Sequence, residues 1–453
     1  MSKRIYKGAR VIDPARNIDK VMDIGVENGV FADPATLKDA EVVDLAGYVL
    51  APGFIDLHVH LRQPGKTDAE TIHTGTLAAA AGGFTSIVAM PNTSPCADNP
   101  GTIHYIRTYA QAEGVVKVLP CGAITKGLEG QEMAGIGGLK AAGVVALSDD
   151  GKCVQNHELM RHVIEYSRTF KLPILDHCED TVLASGGVMH EGHWSVFLGM
   201  KGMAAAAEEL IVARDAILAR TAGWKVHIQH VSTKGSLSII RTAQKEGVQI
   251  TAEATPHHIS LTDVEIKKFD TNYKMNPPLR SAADREALIE AIKDGTIDMI
   301  ATDHAPHSAE EKAKPLTEAP SGIIATDHAP HTNTAKTVEF DYAPFGIIGL
   351  ETAVQICLTE LYHKQYLDLP ALISKFTKGP ADVLGMPIGT LENGRPADIT
   401  ILDPEKEGVV DADKFYSKSR NTPFNGYRYK GLAVGTIVDG KCVFSLLDSL
   451  KKE

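Results

Sequence analysis

GFIDLHVHLR, residues 53–62, carries a strict alternation: Asp56, His58, His60 and Arg62 stand at every second position, with apolar residues between them. In an extended strand, every second side chain points to the same face. The stretch therefore predicts a buried strand that delivers an acid, two imidazoles and a guanidinium to one side. A lone HxH pair is weak evidence for a metal, since most such histidines are surface residues or satisfied core residues. Its meaning depends on what the rest of the chain brings to the same place.

Seven further apolar and β-branched runs follow: GFTSIVAM to Met90, VVKVLPCGAI to Ile124, GVVALSDD to Asp150, LPILDHC to Cys178, KVHIQHVS to Ser232, VQITAEAT to Thr255 and TIDMIATD to Asp303. Between them lie stretches such as AAAAEELIVARDAILART and DREALIEAIKD, whose apolar residues recur every three or four positions, as amphipathic helices require. Eight β/α units in series imply an α/β fold closed into a parallel (β/α)8 TIM barrel over residues 51–386. Residues 1–50 and 387–446 have another texture, with short strand-like runs (IYKGARVID, ADITILD, AVGTIVDGKCVF) and Gly and Asp turns. These two ends are expected to pair into one small flanking β-domain, with 447–453 as a frayed tail.

Active sites of such barrels lie at the C-terminal ends of the strands. There the sequence places Asp149 and Asp150 after the fourth strand, His177 after the fifth, His230 after the sixth and Asp303 after the eighth. With His58 and His60 this puts four imidazoles and at least two carboxylates around one opening. Such a set without thiolate suits Zn2+ best, with Mn2+, Fe2+ or Co2+ as alternatives. Six ligands exceed the need of one tetrahedral ion, so two bridged ions roughly 3.5–4 Å apart are expected.

Composition narrows the partners. The chain has 453 residues, 43% hydrophobic and 23% charged, and 57 acidic against 46 basic side chains give a net charge of −11. There is no Lys/Arg run to suit nucleic acid or a membrane surface. The six cysteines, Cys96, Cys121, Cys153, Cys178, Cys357 and Cys442, form no CxxC pair, which argues against a disulfide framework and for a reducing cytoplasm. MSKRIYKGARVID lacks the apolar core of a signal peptide, and no stretch is apolar enough to span a bilayer.

GFIDLHVHLRQPG, MPNTSP, LSDDG, HCED, QHVSTKGS, MNPPLR and IATDHAPH, in this order, resemble the type I dihydroorotases of the amidohydrolase superfamily. The resemblance covers nearly the whole chain. It implies a zinc-dependent cyclic amidohydrolase that interconverts N-carbamoyl-L-aspartate and L-5,6-dihydroorotate in pyrimidine biosynthesis. On this resemblance His58 and His60 would hold one ion and His177 and His230 the other. Asp150 would bridge the two, and Asp303 would be both ligand and acid-base catalyst. Hydantoinases and allantoinases, the alternative cyclic amidohydrolases, are similar but use a carboxylated lysine as bridge, whereas LSDDG has no lysine there. The resemblance further implies a homodimer. It also leaves open an impaired dihydroorotase-like partner of aspartate transcarbamoylase, although inactive relatives of that kind lack the ligands kept here.

The free carboxylate and ureido groups of such a substrate need cations and amides. Arg62 can grip a carboxylate with two parallel bonds, while Asn92, Asn276 and His307, with the metal ligand His60, would complete its binding. His257 and His258 read as supporting or packing residues. Asp149 reads as a hydrogen-bonding neighbour, and Asp56 as either an orienter of a metal-bound imidazole or a buried structural acid.

One feature departs from the family pattern. The octapeptide IATDHAPH occurs at 300–307 and again at 324–331, inside a tandem repeat of 24 residues, 300–323 and 324–347. Pro320 and Gly322 before the second copy disfavour a regular strand, so Asp303 and His307 are expected to work, leaving Asp327, His328 and His331 surplus. The AP-x-G loop that follows could come from Ser321 and Gly322 or from Phe345 and Gly346. The expectation is that the first binds substrate and the second bulges outward.

Overall fold

The computed structural model describes residues 3–308 and 343–450. Eight short parallel strands, Phe54–Val59, Phe84–Ala89, Lys117–Ala123, Ala146–Ser148, Ile174–Asp176, Val226–Ile228, Ile250–Ala254 and Met299–Ile300, lie side by side in chain order. The first and eighth meet through a parallel bridge between Val59 and His304, and the His60 N–H donates to the His304 carbonyl at 2.9 Å. The ring is thereby closed as the expected TIM barrel. Asp56 fastens the seam: it accepts from the Thr302 hydroxyl (2.6 Å) and from the N–H groups of Thr302 and His58 (3.1 Å each).

Helices cover the outside because their apolar residues recur on one face. In Lys234–Lys245 the buried residues are Ser236, Leu237, Ile240 and Ala243, a stripe at three- and four-residue spacing. The helix starts at Thr233, whose hydroxyl caps the Ser236 N–H. Pro100–Glu113 likewise begins with an Asn99 cap and a proline in the first turn.

The ladders stop short of the expected strand ends: KVHIQHVS pairs only to Ile228 and TIDMIATD only to Ile300. The reason is local. His230, Asp303 and Arg62 have φ of +31°, +48° and +58°, a left-handed backbone that no ladder accommodates. The side chains beyond each strand are thus aimed by turns, and the simple alternation of the first strand holds only as far as His60.

A second sheet draws on both ends of the chain. Lys3–Asp13 pairs with Ile18–Glu27, Glu41–Asp44 and Val49–Pro52, and Val49–Pro52 pairs antiparallel with Ile399–Val409, which continues to Arg428–Val438 and Lys441–Ser445. It has its own core, including Tyr6, Val11, Leu50, Ile401 and Val434. Of the expected tail, residues 451–453 lie outside the described residues, and Asp448–Leu450 makes a turn that buries Leu450 in this core. Among the described residues no helix is long and apolar enough to cross a membrane.

Candidate active site

At the C-terminal mouth of the barrel, His58, His60, Asp150, His177, His230 and Asp303 converge, each less than a tenth exposed. Their donor atoms form three overlapping groups, His58–His60–Asp150, Asp150–His177–His230 and His58–His230–Asp303. Asp150 lies between the two histidine pairs. Its Oδ1 is 3.1 Å from His58 Nε2, 3.6 Å from His177 Nδ1 and 3.8 Å from His230 Nε2, and its Oδ2 is 3.2 Å from His60 Nε2. Asp303 Oδ1 sits 3.2 Å from His60 Nε2 and 3.4 Å from His58 Nε2.

The electrostatics of this cluster couple the acids to the imidazoles around them. Burial alone would raise both carboxyls, yet the surrounding imidazoles hold Asp150 and Asp303 below the usual carboxylate range. Burial opposes a charged His177 in turn, yet Asp150 and Glu179 hold it up to about 10. His58 Nε2 is buried, close to two carboxylates, and makes no hydrogen bond. Converging imidazole and carboxylate donors and an unsatisfied ring nitrogen fit a divalent metal.

Behind His58 stands Glu253, from the seventh strand, which was not among the expected site residues. It is fully buried and contacts His58 Nδ1 at 2.9 Å and His227 Nε2 at 3.0 Å. Burial would raise its carboxyl, but the two imidazoles draw it down to about 2. An ionised Glu253 fixes His58 with Nδ1 protonated and Nε2 presented to the cluster. The sequence signal was faint: a lone acid in VQITAEAT, two residues before Thr255 and so on the same face. Asp56 supports the seam between strands and contacts no imidazole ring, the second of its two readings.

A cavity of about 240 Å3 opens above the cluster, lined also by Arg62, Asn92, Asn276, Ala305, His307, Phe345 and Gly346. Asn92 Oδ1 lies 2.8 Å from His60 Nδ1, which leaves its NH2 group toward the cavity. Arg62 donates from Nε to the Pro306 carbonyl (3.0 Å) and its Nη2 lies 3.5 Å from His307 Nε2. Asn276 donates to Glu179 at 2.8 Å. Asp149 turns away and accepts from the Ile124 and Thr125 N–H groups (2.8 and 3.0 Å). His257 and His258 pack beneath, both bonded to the Thr255 hydroxyl, and His258 also reaches the Pro277 carbonyl next to Asn276.

The first octapeptide provides the eighth strand and the clustered Asp303. Asp327, His328 and His331 of the second copy, like Ser321 and Gly322, lie outside the described residues. The expectation that residues 344–346 bulge outward is corrected, because Phe345 and Gly346 line the cavity. Chain geometry explains it: His304 bridges Ile347 in parallel, and the Ala305 N–H donates to the Ile347 carbonyl at 2.8 Å, which draws the second tail against the first head. Gly346 is needed there. Its φ is +118°, and a Cβ would lie 2.7 Å from Ala305 Cβ.

Barrel and donor cluster together define a metal-binding hydrolase of the amidohydrolase class. Residues 47–236 match the dihydro-orotase-like family and residues 349–444 the amidohydrolase family. The dihydroorotase of Acetivibrio thermocellus is 46% identical over 442 residues, covering 97% of this chain and 98% of that protein. That of Pelotomaculum thermopropionicum is 48% identical over 444 residues, covering 97% and 98%. On this similarity the chain belongs to the dihydroorotase family. The fold is also that of the L-hydantoinase from Arthrobacter aurescens, with a TM-score of 0.84 and 24% identity over 98% of this chain and 96% of that one.

Proposed function

We propose that the cavity at the barrel mouth carries out the dihydroorotase reaction, the reversible ring closure of N-carbamoyl-L-aspartate to L-5,6-dihydroorotate and water. The observation that carries this reading is the meeting of Asp150 and Asp303 with four imidazoles below a wall that holds Arg62, Asn92 and His307. His58 and His60 would hold one ion, His177 and His230 the other, with Asp150 between them and Asp303 as a further ligand. Zinc, two ions per subunit, is the metal this donor set suits. Bound there, it would polarise the acyl oxygen of the substrate and make water acidic enough to ionise near neutrality.

Arg62, Asn92 and His307 would bind the free carboxylate of the substrate. Arg62 is pre-aimed by the Pro306 carbonyl, and Asn92 offers its NH2 because His60 occupies its oxygen. Asn276 would meet the ureido edge. In the hydrolytic direction Asp303, held ionised, takes the proton of the attacking water and passes it to the leaving ring nitrogen. In ring closure the side-chain carboxylate takes up one proton from solvent and is attacked by the ureido nitrogen, and Asp303 passes the nitrogen's proton to the leaving oxygen, which departs as water. Phe345 and Gly346 would form the rim, rather than Ser321 and Gly322. The aspartate bridge separates this reading from a hydantoinase. A cytoplasmic homodimer is part of it, and the tandem unit is read as a duplication.

The test is dihydroorotate formation from carbamoyl-aspartate, with metal content, for the intact chain, Asp303→Ala and Asp327→Ala. The reading expects turnover in the intact chain and in Asp327→Ala and loss in Asp303→Ala. Zinc uptake without turnover by the intact chain would overturn it.

A further inference from the structure

Two segments that the tandem unit sets far apart form one wall of the cavity: His307, at the end of the first octapeptide, and Gly346, near the end of the second unit. A single side chain spans them. Asn421 Oδ1 accepts the His307 N–H (3.2 Å), and its Nδ2 donates to the carbonyls of Ala305 and Gly346 (3.0 Å each). Both amide hydrogens and the oxygen are thus engaged. Aspartate could keep the acceptor but not the donors, and alanine neither.

Asn421 is 4% exposed and comes from the segment between Ile399–Val409 and Arg428–Val438, the long strands of the flanking sheet. That segment is itself tied to the barrel. Its backbone carbonyl accepts the Ile348 N–H at 3.0 Å, and the Ser419 hydroxyl donates to the Ala69 carbonyl at 2.7 Å. Ser417 bonds Glu70, which lies 3.4 Å from His304. The amide is therefore a fixed point against which both halves of the wall are set.

We propose that Asn421 is a positioning residue for substrate binding, holding His307 and the Phe345–Gly346 rim in register so that the wall is built from the head of one repeat and the tail of the other. The inference rests on the reading of this cavity as the dihydroorotase site. It does not touch the metal cluster, so its loss weakens binding more than turnover. The cost of closing a loop grows only with the logarithm of its length, so the extra unit is tolerated, but its ends stay together less readily than those of a single unit. Removing one unit raises the effective concentration of one end about the other and lessens the need for the pin.

The experiment is steady-state kinetics in both directions for the intact chain, Asn421→Ala and Asn421→Asp, each also in a chain lacking residues 320–343, with melting temperature and metal content measured alongside. The expected result is a KM raised about tenfold by either substitution, kcat within about twofold and metal content unchanged. The KM rise should shrink in the shortened chain. An unchanged KM, or a loss confined to kcat and melting temperature, would overturn the inference. Should Asn421→Ala fail to fold, Asn421→Asp carries the same test. An intact chain without turnover overturns the parent reading and this inference with it, whereas an active chain indifferent to both substitutions overturns this inference alone.

Discussion

The fifth barrel strand ends at Asp176, with His177 and Cys178 just beyond it, and these residues lead to two buried clusters of opposite character. Toward the mouth, His177 joins Asp150, Asp303 and the other imidazoles. On the other side, Asp176 and Cys178 meet Asp215, a group whose donors also lie close enough for a metal. Arg214 is already there. It bonds Asp176 at 2.9 Å and Asp215 at 2.8 Å and reaches the Val154 carbonyl. Burial and Asp215 push the Asp176 carboxyl well up, against the pull of Arg214. Arg214, which cannot give up its proton, supplies a cation between the two acids. At the mouth both acids are driven down instead, by the imidazoles gathered around them. Converging donors thus point to a metal where the partners of the acids are imidazoles that can trade a proton for a cation, and not where a permanently charged arginine is bonded between them.

Asp150→Ala strikes the mouth hardest, and turnover should fall roughly a thousandfold or more, with metal per chain reduced by mass spectrometry. Full metal content in that variant would break the contrast from the mouth side. Arg214→Met strikes the other cluster and leaves two buried acids with no counter-charge. Denaturant melts should show a loss of about 3–5 kcal/mol, while the folded fraction keeps its metal. An unchanged stability would mean that this cluster does not depend on its arginine.

Glu351 sharpens the comparison from a third position, as a half-buried acid whose bonded partners are backbone amides, those of Tyr416 and Ser417 at 3.0 and 3.1 Å. Burial pushes it up to about 7. Its folded pKa lies above that of free glutamate, about 4.3, so its contribution is fully present below that value and is lost as pH rises through about 7. Glu351→Gln should therefore gain on the parent chain between pH 5 and 8, by on the order of 2–3 kcal/mol. A flat difference across that range would show that the acid carries no buried charge. The smallest effect is expected of Glu253→Gln, which leaves every metal-facing atom in place. Metal affinity, measured by competition with a chelator, should weaken about 10–100-fold.

The sequence made the mouth legible where one strand carried its own evidence. His58 and His60 follow from alternation, and Asp150, His177, His230 and Asp303 from their position at the ends of apolar runs. Residues that act through others left little trace. Glu253 is one acid in a strand, recognisable only once His58 stands in front of it. Arg214 sits in the middle of a helix as an ordinary polar residue. Asn421 lies more than a hundred positions from the backbone of His307, and nothing in its local pattern marks it. Periodicity cannot rank two identical octapeptides either. The preceding Pro320 and Gly322 favoured the first as strand, but the rim depended on a tertiary bridge between His304 and Ile347.

The pairing of Val49–Pro52 with Ile399–Val409 bears on how the chain is made. During synthesis the earlier strand emerges with one edge unpaired, and its partner follows only after the whole barrel, an interval on the order of tens of seconds at common ribosomal rates. An apolar strand with an open edge invites pairing with neighbouring chains. The flanking sheet is therefore expected to gain from a holding chaperone or a low nascent-chain concentration. A permuted chain that begins near Ile399 would shorten that exposed interval without altering a single contact at the mouth.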